Sequence, residues 1–502
     1  MGESLGKTAL AGVVIVVVVV ALAGAIAYYS TRSRVTSSSS APITPTSATV
    51  SPPTTTTSTS VAPSTSPVTL TVVTYNGINQ VLDMAAQEFE ELHPGVTVKV
   101  IVFPWSDYVD NELTVLRAGG SSYDVITFTP TSSQLFFPFV VPINSSYVNV
   151  SDLLWGQEAF GGVEYVNGTP VIMGAAIQTW VELLAYNATL FNNTTIQAQF
   201  KAETGYPLNP WNWTSWDEVV AASRFFVVHN LTRYGFIVDD NPSHGIIDTY
   251  PAIFWWYWYR NSSLSCNSTT GLTGYGTMFY GCIPSWWGKG FPPPAFNTTA
   301  GVEALEVFKE LVNYEPSPSQ VVVDYTMTST LLTQGRVAGA VAWADDVASL
   351  PPNVSSQLLM APLPGGYGEP GSTFLAVSKY SSHKRLAMEF IAFVVSPQFQ
   401  EQAFYEQGSI PVSKEAISEI LSNSTLPSYE KEWMRAILVA GQNSYATPPT
   451  VPQTYSALIP YFNQAVYSYL TGQIADPAQA LQQAAREWVV ALEGIIASST
   501  TG

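Results

Sequence analysis

The segment TLTVVTYNGINQVLDMAAQEFEELHPGVTVKVIVF, residues 69–103, decides the fold class. Residues 69–74 alternate as a strand and break at Asn76-Gly77. Residues 80–92 then place Val81, Met84, Ala85, Phe89 and Leu92 on one side of a helix, which His93-Pro94-Gly95 stops. Residues 96–102 form a second strand and residues 108–117 a second helix. Gly119-Gly120 turns into a third strand through Tyr123-Asp124-Val125-Ile126. Strands alternating with helices in this order predict an α/β domain on a largely parallel sheet. Ligands of such sheets sit beyond the carboxyl ends of the strands, here residues 75–79, 103–105 and 127–133.

The 502-residue chain is 46% hydrophobic, enough for two or three domains with large cores. Only 11% of residues are charged, against about 25% in an ordinary soluble domain, and the net charge is −18. Phosphate binding needs clustered Lys and Arg, so nucleic acid is excluded as a partner. A surface of Ser, Thr, Asn, Gln and Tyr keeps its hydration when pH falls through the carboxylate range near 4, and so suits acidic surroundings.

Upstream, residues 8–29 carry no charge and span roughly 33 Å as a helix, one bilayer crossing. That is long for a cleavable signal, so residues 1–30 are expected to be a leader and transmembrane anchor. Lys7 directly before the apolar run resembles the pilin-type leaders of some archaeal surface proteins. Lys7 before the span against Arg32 and Arg34 after it would by itself put the C-terminal side in the cytoplasm. Of residues 31–67, 22 are Ser or Thr and 6 are Pro, a composition that buries no core and reads as an extended stalk of up to about 115 Å.

The body beyond residue 67 overrides that orientation. It carries thirteen Asn-x-Ser/Thr sequons, at Asn144, Asn149, Asn167, Asn187, Asn192, Asn193, Asn212, Asn230, Asn261, Asn267, Asn297, Asn353 and Asn423. With 21 Asn in the chain and Ser plus Thr near a fifth of residues, about four would arise by chance, so a glycosylated body outside the cell is expected. Cys266 and Cys282, the only cysteines, are expected to pair there, closing a loop for on the order of 3 kcal/mol.

Catalytic signatures are missing: no Gly-x-Ser-x-Gly elbow, no phosphate loop and no His-Glu-x-x-His helix. His93, His229, His244 and His383 lack ligand spacing, so neither metal nor cofactor is expected. Asp239, Asn241 and Ser243 make half of a calcium loop, but the glycine falls at Gly245 and Tyr250 stands where a bidentate Glu is required.

The opening Leu70-Thr71-Val72-Val73-Thr74-Tyr75, the helix end Phe89-Glu90-Glu91-Leu92-His93-Pro94-Gly95-Val96, and Arg117-Ala118-Gly119-Gly120 before Tyr123-Asp124-Val125-Ile126 resemble family 1 extracellular solute-binding proteins, the maltose-binding type. So do Leu184-Ala185-Tyr186-Asn187, Trp216-Asp217-Glu218, Gly335-Arg336-Val337-Ala338 before Trp343, and Ala387-Met388-Glu389-Phe390-Ile391 before Ser396-Pro397. The run from Gly408 to Pro411 and the terminal Tyr469-Leu470-Thr471-Gly472 with Ala480-Leu481 complete the order, over about residues 69–495. Ala185 departs from the pattern, which usually has a larger apolar residue there. The resemblance implies a two-lobed periplasmic-binding-protein-like fold of type II, with mostly parallel central sheets behind the anchor and stalk. Lobe one would be 68–178 and 371–411, lobe two 179–370 and 412–502. It further implies a sugar held in the interlobe cleft, delivery to the permease subunits of an ABC transporter, and no enzymatic activity.

The body is rich in aromatic residues, including Trp211, Trp213, Trp216, Trp255, Trp256, Trp258, Trp286 and Trp287. Aromatic faces stack on sugar C–H faces, and neutral or acidic groups address hydroxyls. Position in the family's order selects Tyr75, Thr129, Trp180, Asp239, Asp240, Trp343, Ser372 and Thr373 as the expected ligand residues. A secreted glycoside hydrolase shares the aromatics but would turn a saccharide over, and a surface-layer or adhesive glycoprotein shares the stalk but would lack saturable small-ligand affinity.

The cysteine reading has a direct check. Mass analysis of unreduced peptides from protein recovered at the cell surface should find Cys266 and Cys282 joined; two free thiols there would refute it.

Overall fold

A computed structural model describes residues 67–154, 161–166, 169–242, 246–260, 278–279, 294–442 and 454–500. The anchor, the stalk, Cys266, Cys282, His244, Trp286, Trp287 and the sequons at Asn167, Asn261 and Asn267 lie outside the described residues. No described helix is long and apolar enough to cross a membrane.

The opening stretch folds as its periodicity dictates. Strand β1 (Val68–Tyr75) and strand β2 (Val96–Phe103) pair in parallel in unbroken register, flanking the helix Asn79–Leu92. After the helix Tyr108–Arg117, strand β3 (Val125–Phe128) pairs with β1, also in parallel. Gly95 and Gly119 adopt φ of 92° and 72°, a left-handed conformation that a side chain resists, and this lets the chain reverse within a few residues. Three short strands come next: β4 (Val140–Val141), and β5 (Val163–Val166) with β6 (Thr169–Ile172) as a separate antiparallel pair.

The later strands correct the expectation of mostly parallel sheets. These are β7 (Ala175–Asn187), β8 (Tyr234–Ile237), β9 (Val337–Trp343), β10 (Leu358–Ala361) and β11 (Pro370–Ser378). The large sheet runs β2-β1-β3-β11-β7-β9-β8, with β10 added beside β7 and β4 beside β11. β8 and β9 are parallel, but β11 is antiparallel to β3 and to β7, and β7 is antiparallel to β9. The sheet is mixed because two strands cross between the α/β halves, and a chain that crosses and returns must run antiparallel to itself.

Strand β7 makes its crossing in a single stretch of 13 residues. Its first half, from Ala175 to Val181, pairs with β11, and its second half, from Glu182 to Tyr186, pairs with β9. A bulge between Thr373 and Phe374 sits in the first ladder, where the extra residue bends and twists the pair. On one side of this crossing a buried apolar cluster gathers Leu70, Val72, Phe89, Phe128 and Phe374 with Phe390 and Ile391. On the other side a second cluster is dominated by rings, among them Trp216, Tyr250, Phe254, Trp255, Phe308 and Trp488. A third gathers Leu183, Ile237, Ala340 and Met360 with Ile417, Trp433 and Ile437. These packing relations make two lobes with separate cores, joined by crossing strands.

Two described sequon asparagines cap helices: Asn187 Oδ1 accepts from Leu190 N–H at 3.1 Å, and Asn193 Oδ1 from Thr195 N–H and Ile196 N–H at 3.0 and 3.2 Å. Such caps satisfy donors that the helix itself cannot.

Carboxyl groups are buried in both lobes. Glu112 is shut off from solvent, accepts from Thr127 N–H through Oε2 at 3.3 Å and leaves Oε1 unpaired. Asp240 accepts from Val323 N–H at 2.7 Å while Glu315 accepts from Val238 N–H. Desolvation pushes Glu112 and Glu315 well above the usual carboxylate range and Asp240 up to about 7.

In the unfolded chain these groups titrate near 4. Below that pH both states hold their protons and the stabilisation is complete. Between about 4 and about 7 the unfolded chain loses protons that the folded chain keeps, so stability falls as pH rises. Urea unfolding of residues 68–502 should therefore give its highest midpoint near pH 4 and a steady decline to pH 7. A midpoint that climbs over that interval would contradict this assignment.

Candidate functional site

The strand order brings four of the eight expected residues, Tyr75, Thr373, Trp180 and Trp343, to one line. Cross-strand neighbours stand on the same face, and successive residues alternate faces. Glu182 lies opposite Trp343, and Trp180 opposite Gly371, so Trp180, Glu182 and Trp343 share a face at the centre of the crossing. Glycine is required at 371 by close approach: a Cβ there would stand 2.9 Å from the Trp343 ring and 2.8 Å from the Trp180 carbonyl oxygen. The indole of Trp343 thus reaches across β7 onto β11. Trp180 and Trp343 are both partly exposed.

At the lobe-one end of this line, the Tyr75 hydroxyl and Thr373 Oγ1 are 2.5 Å apart, and Gln178 Nε2 donates to Thr373 Oγ1 at 3.5 Å. Ser372 Oγ donates to the Gln178 carbonyl at 2.5 Å. Both hydroxyls on β11 are therefore fully buried and internally bonded. Thr129, just past β3, places Oγ1 3.1 Å from the Tyr108 hydroxyl and 3.3 Å from Ser132 Oγ. The Tyr75 ring meets Trp105 edge-on at 4.7 Å and Tyr108 at 4.8 Å. Trp105 is half exposed and its main-chain N–H donates to Asn76 Oδ1 at 2.7 Å. Burial pushes the Tyr75 phenol well above its usual pKa, and Asp345 of lobe two is near enough to add to that rise.

Asp239 and Asp240 separate in role. Asp240 braces its loop: besides accepting from Val323 N–H, its own N–H donates to the Val323 carbonyl at 3.1 Å. Asp239 is 6% exposed, its Oδ1 is buried without a partner, and its neighbours by charge are Asp248, Asp240, Glu182 and Asp324. Burial first, and then these like charges, hold it well above the usual range. Asp345 and Asp346 follow Trp343 after Ala344; desolvation carries them to about 7 and about 6, and Asp345 Oδ1 also lacks a partner.

Sequence reasoning missed Trp105, Tyr108, Glu182, Glu369 and Asp345. Trp105 lies in a strand-end loop that was legible as ligand-facing. Glu182 carried a signal too, as a lone acid in the apolar run VELLAY (181–186) that the fold buries. Trp213, Trp216, Trp255 and Trp258 are core residues in lobe two, and Trp256 donates to the Thr214 carbonyl at 2.7 Å. A shallow surface cavity runs along the helix Tyr325–Thr333, and none of the eight expected residues lines it. Among the described residues no group of three or more His, Cys, Asp or Glu is placed to hold a metal ion.

Solved structures share this architecture. Maltose-bound MalE3 of T. maritima superposes with a TM-score of 0.60 at 18% identity, over 84% of this chain and 99% of its own. A cyclic α-maltosyl-1,6-maltose binding protein from Arthrobacter globiformis gives 0.61 at 18%, over 85% and 100%. The sugar-binding protein MalE of Xanthomonas citri gives 0.62 at 17%, over 85% and 99%. At these identities the likeness establishes the two-lobed fold. The family model described as bacterial extracellular solute-binding protein matches residues 77–401, well over half of the sequence, on the segments that build both lobes and the crossing between them. The chain belongs to the bacterial extracellular solute-binding protein family.

Proposed function

We propose that this protein captures a sugar, a mono- or oligosaccharide, between its lobes and delivers it to the permease subunits of an ABC transporter. The observation that carries the reading is the continuous line from Tyr75 and Thr373 through Trp180 to Trp343 on the strand both lobes share. Tyr75, Trp105 and Thr129 approach the solute from lobe one. Trp343, Asp239 and Asp345 approach it from lobe two. Ser372, Thr373 and Asp240 shape the floor, since their polar groups are bonded within the protein. We assign lobe one to 68–178 and 371–411 and lobe two to 179–370 and 412–502. Solute leaves unaltered, so the protein is a carrier and not an enzyme.

A solute touching both walls only when they are shut binds the closed state preferentially, and closure follows from that difference. Moving from 1:99 to 99:1 in favour of closed takes about 5.5 kcal/mol, within reach of several hydrogen bonds and one stacked indole. Outside the described residues, 1–30 serve as membrane anchor and 31–67 as stalk, and the body stands at the cell surface. Glycosylation of the body is supported by the setting of the ten described sequon asparagines, of which seven are exposed and Asn187, Asn297 and Asn423 partly so.

Mutation and scattering both test this reading. Trp343→Ala should weaken saccharide binding by about 1–3 kcal/mol in a protein that still folds, as expected for loss of a stacked aromatic contact; an unchanged Kd removes Trp343 from the site. Small-angle scattering of residues 68–502 should show a smaller radius of gyration with saturating saccharide, and the saccharide should be recovered intact after long incubation. A radius that stays constant under confirmed binding argues for a rigid cleft.

A further inference from the structure

Around the crossing, the protein buries four carboxyl groups: Glu182 on β7, Asp239 beyond β8, Asp248 in the first turn of the helix Ile246–Arg260, and Glu369 just before β11. Each is 6% exposed or less. Main-chain bonds tie two of them together, since Glu182 N–H donates to the Glu369 carbonyl at 3.1 Å and Glu369 N–H donates to Glu182 Oε2 at 3.3 Å. Thr249 Oγ1 donates to Glu182 Oε1 at 3.3 Å. Each oxygen of Glu182 therefore has a donor, the arrangement of a carboxylate. Asp239 Oδ1 and Glu369 Oε2 are the opposite case, buried oxygens with no partner.

The groups facing Asp239 are Asp248 from the helix, Glu182 from β7, the adjacent Asp240 and Asp324 at the start of the helix Tyr325–Thr333. Those facing Glu369 are Asp248 and Glu182. Lys309 acts on Asp240 and donates from Nζ to the Leu470 carbonyl. Like charges brought together out of water repel, so ionisation of one of these groups opposes ionisation of its neighbours. Protons on these groups and a positive charge on the solute are two ways of easing that repulsion. The bonding separates the two: the carboxylate that would meet a cation, Glu182, already has donors on both oxygens, whereas the unpaired oxygens of Asp239 and Glu369 can each carry a proton and donate it.

Resting on the reading of the cleft as a sugar site, we propose that Asp239 and Glu369 hold the solute as neutral carboxylic acids, donating hydrogen bonds to its hydroxyl oxygens. The site then selects uncharged polyhydroxylated solutes over cationic ones, and solute and protons are taken up together. Burial and the surrounding carboxylates raise both groups well above the ordinary range, in the direction this requires. Loss of either proton turns a donor into a second acceptor facing the solute's oxygens, and affinity drops.

The test uses the full chain in detergent, with glucose, arabinose, maltose and maltotriose as neutral probes and glucosamine as the cationic one. Calorimetry of the tightest neutral binder should show Kd rising at least tenfold from pH 4 to pH 8. Repeating the titration in two buffers of different ionisation enthalpy should show net proton uptake near neutral pH. Asp239→Asn and Glu369→Gln mimic the protonated acids, so each should flatten the pH profile of Kd. Glu112→Gln, remote from this group, should keep the wild-type slope. The proposal is overturned by a Kd that is constant or tightens as pH rises, by glucosamine outcompeting glucose, or by a folded Asp239→Asn protein that no longer binds at pH 4. If neither variant folds, the wild-type profile and proton uptake decide alone. Absence of binding by every probe at every pH would sink the sugar reading itself, whereas pH-independent binding sinks only the proton coupling.

Discussion

The constraint on which the rest depends is that one strand carries two ladders, one toward each lobe. Because β7 pairs first with β11 and then with β9, its direction fixes both ladders as antiparallel and so makes the large sheet mixed. The same continuity sets the site. Residues two apart on a strand share a face, so a run of alternate positions through Trp180 and Glu182 necessarily passes from one lobe to the other on one surface. Trp343 needs no loop to reach the junction, because its register opposite Glu182 puts it there.

Electrostatics tells a related story. Glu112, Asp240, Glu315 and Asp345 are carried above the usual carboxylate range chiefly by burial, and Asp239 and Glu369 by burial together with neighbouring carboxyls. The groups lie in both lobes, so the effect belongs to the whole molecule. A chain with 37 acidic residues against 19 basic ones has few cations with which to pair them. Protons are the remaining counter-charge, and surroundings that supply them favour the folded state. This agrees with the hydroxyl- and amide-rich composition that pointed to acidic conditions at the outset.

The opening βαβαβ was legible almost to the residue, since period and punctuation are local: β1 ends at Tyr75 and the helix at Leu92, next to Asn76-Gly77 and His93-Pro94-Gly95. The antiparallel crossing was not, because no local pattern says which strand returns beside which. Among the site residues, Tyr75 and Thr129 could be placed by the strand-end rule alone. Trp180 and Trp343 needed the family's order. Asp239 and Asp240 were read as an equivalent pair, and only the backbone of Val323 distinguishes them: it binds Asp240 on both its groups and leaves Asp239 facing acids. Buried acids such as Glu369 escape sequence reasoning because burial is a property of the packed neighbours.

The helix caps at Asn187 and Asn193 have a consequence for how the protein can be made. Each cap uses the amide oxygen as acceptor, and the helix asks nothing of the amide nitrogen, the atom to which an N-linked glycan attaches. Asn144 likewise accepts from Ser146 N–H at 2.9 Å through its oxygen. A glycan at these positions is compatible with the cap already in place, so coating and folding contribute separately and neither must precede the other. Asn423 is built differently, since its Nδ2 donates to the Tyr405 hydroxyl at 2.8 Å and a glycan there would leave a single N–H to keep that bond. A glycan could therefore be added before or after folding at Asn144, Asn187 and Asn193, whereas at Asn423 the remaining N–H would have to point to Tyr405.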